Sequence, residues 1–174
     1  MEKILVFVST LDGKTTKWDS PLVRSWSSPE DQAYFSRLWK ESELAVIGRS
    51  TFEADPIKPA KGQHIVVMTR NAHKYARKEA GGQIEFTDES PKQLVKRFEQ
   101  LNKPRMLIAG GAHLATSFLQ GGLIDELWLT IEPKIFGSGN GLVARDKLDI
   151  QLKLISCEKL NDAGTILAKY AVVK

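Results

Sequence analysis

The segment from Met106 to Gly141, MLIAGGAHLATSFLQGGLIDELWLTIEPKIFGSGNG, constrains the fold of this chain more than any other. Met106 to Ala109 is a short apolar run that stops at Gly110-Gly111, after which Leu114, Phe118 and Leu119 recur at helical spacing. The pattern predicts a strand feeding a helix through two glycines. Gly121-Gly122 closes that helix, and Leu127, Leu129 and Ile131 then alternate with Trp128, Thr130 and Glu132, as a two-faced strand requires, up to Pro133. The first glycine pair has two readings. Backbone without a Cβ at a helix start lets an anion such as phosphate approach the free N–H groups, or the turn simply needs positive φ.

The rest of the chain repeats this strand-to-helix grammar. Ile4 to Val8 is an uninterrupted apolar run suited to a strand buried on both faces, and it ends in the turn signal Asp12-Gly13. Ser28-Pro29-Glu30-Asp31 announces a helix capped by Ser28, in which Asp31, Phe35 and Leu38 share one face. A carboxylate beside core residues either completes the capping box or meets a ligand. Leu44 to Ile47 reads as a buried strand running into Gly48-Arg49-Ser50-Thr51-Phe52-Glu53, where a capping box from Ser50 to Glu53 is expected. Arg49, Ser50 and Thr51 there carry donors that suit a phosphate. Ile65 to Met68 is a third strand, ending in Thr69-Arg70-Asn71. Three strand ends with anion donors point to one crevice, because ligands of open sheets lie beyond the carboxyl ends of strands.

Ile84 to Phe86 reads as a short strand, and Ser90-Pro91-Lys92-Gln93 caps a helix with Leu94, Val95, Phe98 and Leu101 on its apolar face. Leu152 to Leu160 and Thr165 to Val173 alternate on either side of Asn161-Asp162-Ala163-Gly164, which predicts a closing antiparallel hairpin. The fold class expected is therefore α/β, a mixed and mostly parallel sheet with helices on both faces.

Composition narrows the function. At 174 residues, 42% hydrophobic and 26% charged, the chain is expected to form one globular domain over 1–174. No apolar run approaches a membrane span and no signal-peptide cleavage pattern follows Met1, so a cytoplasmic protein without membrane contact is expected. The net charge of +4 is scattered among acidic residues, which fits an anionic small molecule and not a nucleic acid. Cys157 has no partner for an internal disulfide, and its strand pattern predicts a packed thiol. His64, His73 and His113 are too dispersed for a local metal motif. The run Gly137-Ser138-Gly139-Asn140-Gly141 matches neither a nucleophile elbow, a Walker loop nor G-x-G-x-x-G, and is read as a loop on the ligand side. The Trp128 face and the tail hairpin offer apolar strand surface to a homodimer.

Taken together and in order, STLDGK, SSPEDQAYF, AVIGRSTFEAD, IVVMTR, IAGGAHLATSFL and GLIDELWLTIEPKIFGSG resemble the dihydrofolate reductase superfamily. Within it the chain is most similar to the reductase domain at the C-terminus of the bifunctional riboflavin-pathway deaminase-reductase. The resemblance covers nearly the whole chain. It implies a three-layer α/β/α dihydrofolate reductase-like fold, NADPH as cofactor and hydride transfer to a C=N-type carbon of a small pyrimidine- or pterin-like substrate. The closest activity it implies is 5-amino-6-(5-phosphoribosylamino)uracil reduction. Dihydrofolate reductase activity proper and a non-catalytic nucleotide- or drug-binding protein of the same fold are the alternatives.

By the same resemblance, Gly48, Arg49, Ser50 and Thr51 would hold cofactor phosphates, and Thr69 and Arg70 the adenosine 2′-phosphate. Gly110, Gly111, Ala112, His113 and Leu114 would hold the pyrophosphate, with a cis peptide between the two glycines. Asp31 would bind the substrate ring and assist its protonation, with Lys14 and Phe35 at the substrate, and Lys17, Arg24 or Arg37 near a substrate phosphate. The arginine with which folate enzymes grip the glutamate tail is replaced by Gly62, which speaks against folate.

Overall fold

A computed structural model describes residues 1–55, 57–78, 81–144 and 146–174. Eight strands form one sheet: β1 (Glu2–Thr10), β2 (Leu44–Gly48), β3 (His64–Met68), β4 (Ile84–Thr87), β5 (Arg105–Ile108), β6 (Glu126–Glu132), β7 (Leu152–Lys159) and β8 (Ile166–Val172). Their order is β4-β3-β2-β5-β1-β6-β8-β7. The first six are parallel to one another, while β8 pairs antiparallel to both β6 and β7. The helices are α1 (Pro29–Glu41), α2 (Arg49–Ala54), α3 (Pro91–Gln100) and α4 (Ala112–Gln120), with 3₁₀ turns at Val23–Ser25 and Ala72–Lys78.

Strand alternation builds two cores. Leu5, Leu44, Val46, Val66, Met106 and Ile108 point to one face and pack against α3 and α4 through Leu94, Phe98, Leu114 and Phe118. Ile4, Val6, Ala45, Ile47, Ile65, Val67 and Leu107 point to the other, under Leu38 and Trp39 of α1 and alongside Phe52 of α2. Because a strand sends successive side chains to opposite faces, near-continuous apolar runs can feed both layers at once. The three-layer α/β/α architecture with a mixed sheet and a closing hairpin follows from that.

Several local expectations need correction. Ser50 and Glu53 form no capping box: α2 begins at Arg49 with Gly48 at its N-cap and no side-chain cap, and the Glu53 carboxylate instead accepts from Arg49 at 2.5 Å and Tyr75 Oη at 2.6 Å. Leu101 ends α3 and is 60% exposed. Cys157 is exposed, not packed, because β7 is an edge strand along which every residue is exposed. Trp128 is half-buried on the α1 side, with Lys169 Nζ 4.0 Å from its ring centroid. Among the described residues, no helix is long and apolar enough to cross a membrane.

Candidate functional site

The carboxyl ends of β1, β2, β3 and β5 open into one crevice of about 1440 Å³. Sites for single small ligands occupy roughly 300–1,000 Å³, so this one has room for two molecules end to end. Its two halves are built differently.

One half is made of backbone. Gly48 N–H donates to the Gly110 carbonyl at 3.0 Å, tying the end of β2 to the glycine pair after β5. The Gly110–Gly111 peptide is cis, and Gly110 has φ +81°, a region that favours glycine. Added Cβ atoms would come 3.5 Å from the Phe7 ring at Gly110 and 3.4 Å from Thr51 Oγ1 at Gly111. The starts of α2 and α4 therefore lie against each other. Neither N-cap, Gly48 or Gly111, supplies a side-chain cap, so first-turn N–H groups remain free for an anion. Ser50, Thr51, Ala112, His113 and Leu114 line this half. Arg49 also lines it, its guanidinium steered along α2 by Glu53. Thr69 and Arg70 stand at the end of β3; Arg70 is exposed and forms no ion pair among the described residues.

The other half is made of side chains. Ser28 caps α1 by accepting from Asp31 N–H at 3.2 Å. The reciprocal half of the box comes from elsewhere, since Ser28 N–H donates to Glu132 Oε1 at 2.6 Å. Glu132, 1% exposed at the end of β6, takes its second hydrogen bond from Thr165 Oγ1 at 2.8 Å. In α3, by contrast, Ser90 and Gln93 complete the box within one turn. A carboxylate from a distant strand thus relieves Asp31 of the capping role and leaves its carboxyl to the crevice.

Asp31 is 5% exposed, and burial pushes its pKa up to about 6; the hydroxyls of Thr130 and Ser27 oppose that rise and the charge on Glu132 adds to it. A carboxyl so placed can hold a proton near neutral pH and deliver it. Beside it, burial pushes the Tyr34 phenol up as well, with Glu158 adding to the rise. Tyr34 Oη and Trp39 Nε1 are buried without a hydrogen-bond partner among the described residues, and both side chains line the crevice. Phe35 packs there against Trp39, ring centroids 5.8 Å apart. Arg24 and Asp55 face each other at the mouth at 2.9 Å.

The remaining wall is the glycine-rich loop. Asp12 accepts from Gly137 N–H at 2.8 Å, Thr15 N–H donates to the Asn140 carbonyl at 2.8 Å, and Asn140 N–H donates to Thr16 Oγ1 at 2.8 Å. A Cβ on Gly139 would meet the Thr16 carbonyl oxygen at 2.2 Å, so close docking demands glycine. The crevice gathers every residue expected to hold the cofactor, together with Asp31 and Phe35, but not Lys14, whose backbone instead bridges to Gly141. Lys17 and Arg37 also lie outside the lining, whereas Arg24 is within it. Sequence reasoning missed Tyr34, Trp39, Thr130 and Glu132. Tyr34 follows Asp31 by three residues, a helical neighbour that spacing could have flagged; nothing local marked Glu132.

A family profile described as the RibD C-terminal domain matches residues 3–165. The uncharacterized protein YwjB of Bacillus subtilis (strain 168) is 25% identical over 166 residues, which is 92% of this chain and 92% of that protein. Among solved structures, a candidate riboflavin biosynthesis protein from Shewanella sp. PV-4 superposes with a TM-score of 0.80 at 18% identity, covering 100% of both chains. Dihydrofolate reductase from Enterococcus faecalis, complexed with NADP(H) and RAB-propyl, superposes with a TM-score of 0.67 at 16% identity, covering 99% of this chain and 97% of that one. At these identities the two superpositions speak for the fold.

Proposed function

Because the chain belongs to the RibD C-terminal domain family, within the dihydrofolate reductase superfamily, we propose that it is an NADPH-dependent reductase of a small pyrimidine-like substrate. Within that family its substrate is most like 5-amino-6-(5-phosphoribosylamino)uracil. The observation that carries the reading is the division of one crevice into a backbone half suited to a dinucleotide and a half that ends in a buried, proton-holding carboxyl.

Bound NADPH would supply a hydride. The chain's part is to fix the geometry and manage the proton. The open starts of α2 and α4 receive the pyrophosphate, while Thr69 and Arg70 receive the 2′-phosphate. Asp31 holds a proton for the substrate nitrogen, and burial keeps that proton in place as the pH approaches 6. Tyr34 and Trp39 present donors to the substrate's polar edge. Arg24, held by Asp55, is the cation at the mouth for a substrate phosphate.

Titration of intrinsic tryptophan fluorescence with NADPH and with NADH tests the reading. Saturable NADPH binding, with NADH binding weaker by tenfold or more, is the expected result. Binding of neither nucleotide by folded protein would overturn it.

A further inference from the structure

Resting on the reading of Asp31 as proton donor, we propose that Glu132 is a positioning residue for proton delivery: its carboxylate fastens the start of α1 to the turn between β7 and β8 and fixes both the place and the charge surroundings of the Asp31 carboxyl. Glu132 does not line the crevice, so it acts through Asp31. It closes β6, and the alternation of that strand turns Thr130 and Glu132 to the same side, toward α1. Thr130 sets its hydroxyl against the Asp31 carboxyl, while Glu132 takes up the backbone at the helix start. Its Oε1 accepts from Ser28 N–H at 2.6 Å, and Ser28 Oγ in turn accepts from Asp31 N–H at 3.2 Å. Its Oε2 accepts from Thr165 Oγ1 at 2.8 Å. Thr165 is fully buried, and its turn is closed on itself: Asn161 Oδ1 accepts from the Gly164 and Thr165 N–H groups at 3.1 and 3.0 Å, and Asn161 Nδ2 donates to Thr165 Oγ1 at 3.0 Å. Asn161 Nδ2 also reaches Glu30 Oε2 at 2.9 Å, so the turn holds the first turn of α1 at two points. A shift of about 1 Å in a reacting group can cost roughly a hundredfold in rate, so a tie of this kind bears on chemistry it does not touch.

A neutral side chain would suffice for the anchor alone, as the amide of Gln93 does in α3. Glu132 is instead a carboxylate, 1% exposed and without an ion pair among the described residues, an arrangement that costs stability. What the charge adds is repulsion. It disfavours the ionised form of Asp31 on top of burial, which is the larger cause. The other charged and titratable groups around Asp31 do not take its place. Tyr34, on α1 itself, is a neutral phenol on which Glu158 of β7 and Arg37 act. Lys134 is bound to the Trp26 carbonyl, Glu30 is turned to Asn161, and Arg24 and Asp55 pair with each other at the mouth.

Glu132→Gln separates the two roles, because its amide can still accept from Ser28 N–H and donate to Thr165 Oγ1 while carrying no charge. The Asp31 carboxyl is followed by carbon NMR in the full chain labelled at its aspartate carboxyls, the resonance being assigned by its absence in Asp31→Asn. Its titration midpoint should fall by about half a pH unit or more in Glu132→Gln. With NADPH and 5-amino-6-(5-phosphoribosylamino)uracil, kcat at pH 7 should drop about threefold or more in that variant, while KM, NADPH affinity and kcat at about pH 5 stay close to native. Glu132→Asp keeps the charge but is too short to hold both anchors. Its midpoint should stay near the native value while kcat falls at least about tenfold at every pH. An unmoved midpoint in Glu132→Gln, or native turnover in Glu132→Asp, would each overturn the proposal, and the second arm stands even if the glutamine variant fails to fold. The titration needs no substrate, so it tests Glu132 separately from the reductase reading, whose own failure shows as a folded native chain that binds neither NADPH nor NADH.

Discussion

The two halves of the crevice solve the same problem, holding a polar ligand away from water, with different materials. In the half proposed for the nucleotide, the donors are main-chain N–H groups at the starts of α2 and α4, and glycine leaves them uncovered. In the half proposed for the substrate, the donors and acceptors are side chains, Asp31, Tyr34 and Trp39, buried at a cost in stability. A backbone site is fixed by the fold and adds little strain of its own. A side-chain site can be tuned chemically, but only by keeping polar groups where water would otherwise solvate them.

The sharpest way to break this contrast is to remove the proposed proton donor. Asp31→Asn should lower turnover by about 10²–10⁴-fold, the range typical of general acid catalysis, while nucleotide affinity in a fluorescence titration stays unchanged. Loss of nucleotide binding with normal turnover would merge the two halves.

The same substitution also measures what the buried carboxyl costs. Its folded pKa of about 6 lies above the ordinary aspartate value of 3.8, so the native state binds the proton more tightly than the unfolded chain. Its contribution is fully present below about pH 4, and is lost as the pH rises through about 6. Above that the charged carboxylate costs on the order of 3 kcal/mol. Asp31→Asn should therefore be more stable than the native chain in denaturant titrations at pH 7 and about equal at pH 4. Equal stability at both would mean that Asp31 is well solvated.

On the backbone side, Gly110→Ala should destabilise the fold by about 1–2 kcal/mol, because its φ of +81° disfavours a Cβ, and it should weaken nucleotide binding in the same titration. Turnover at saturating nucleotide should fall far less than in Asp31→Asn. The smallest effect belongs to the one nucleotide-side guanidinium without an ion pair among the described residues. Arg70→Ala should weaken NADPH about tenfold, ~1.4 kcal/mol, and leave NADH unchanged. An equal loss for both would take the 2′-phosphate away from Arg70.

The contrast also explains which half could be read in advance. Glycine pairs, strand ends and an arginine after a strand are local patterns, so Gly48, Thr69, Arg70 and Gly110 to Leu114 could be assigned from spacing and family likeness, and the fold gathers them on one crevice. The state of Asp31 could not be read. Its neighbourhood says capping box, and its freedom comes from Glu132, 104 residues from Ser28. Cys157 misled for a related reason: alternation predicts a strand but not whether the strand lies at the centre or at the edge. Lys14 sits in a motif of the right likeness, yet its backbone is taken up by Gly141 and it does not line the crevice.

The sequence by itself determined the alternation of strands and helices, the two-faced apolar core, the hairpin at the end and the open glycine starts of α2 and α4. Each of these is written in residues a few positions apart, where hydrophobic period and the missing Cβ of glycine act directly. Only the tertiary structure decided that β6 would lie beside β1 and bring Glu132 under Ser28, raising Asp31 to a proton-holding carboxyl. It also decided that β8 would insert between β6 and β7 and leave β7 bare at the edge. Those outcomes depend on which strands become neighbours, and burial and electrostatic coupling act through that spatial adjacency, not through distance along the chain.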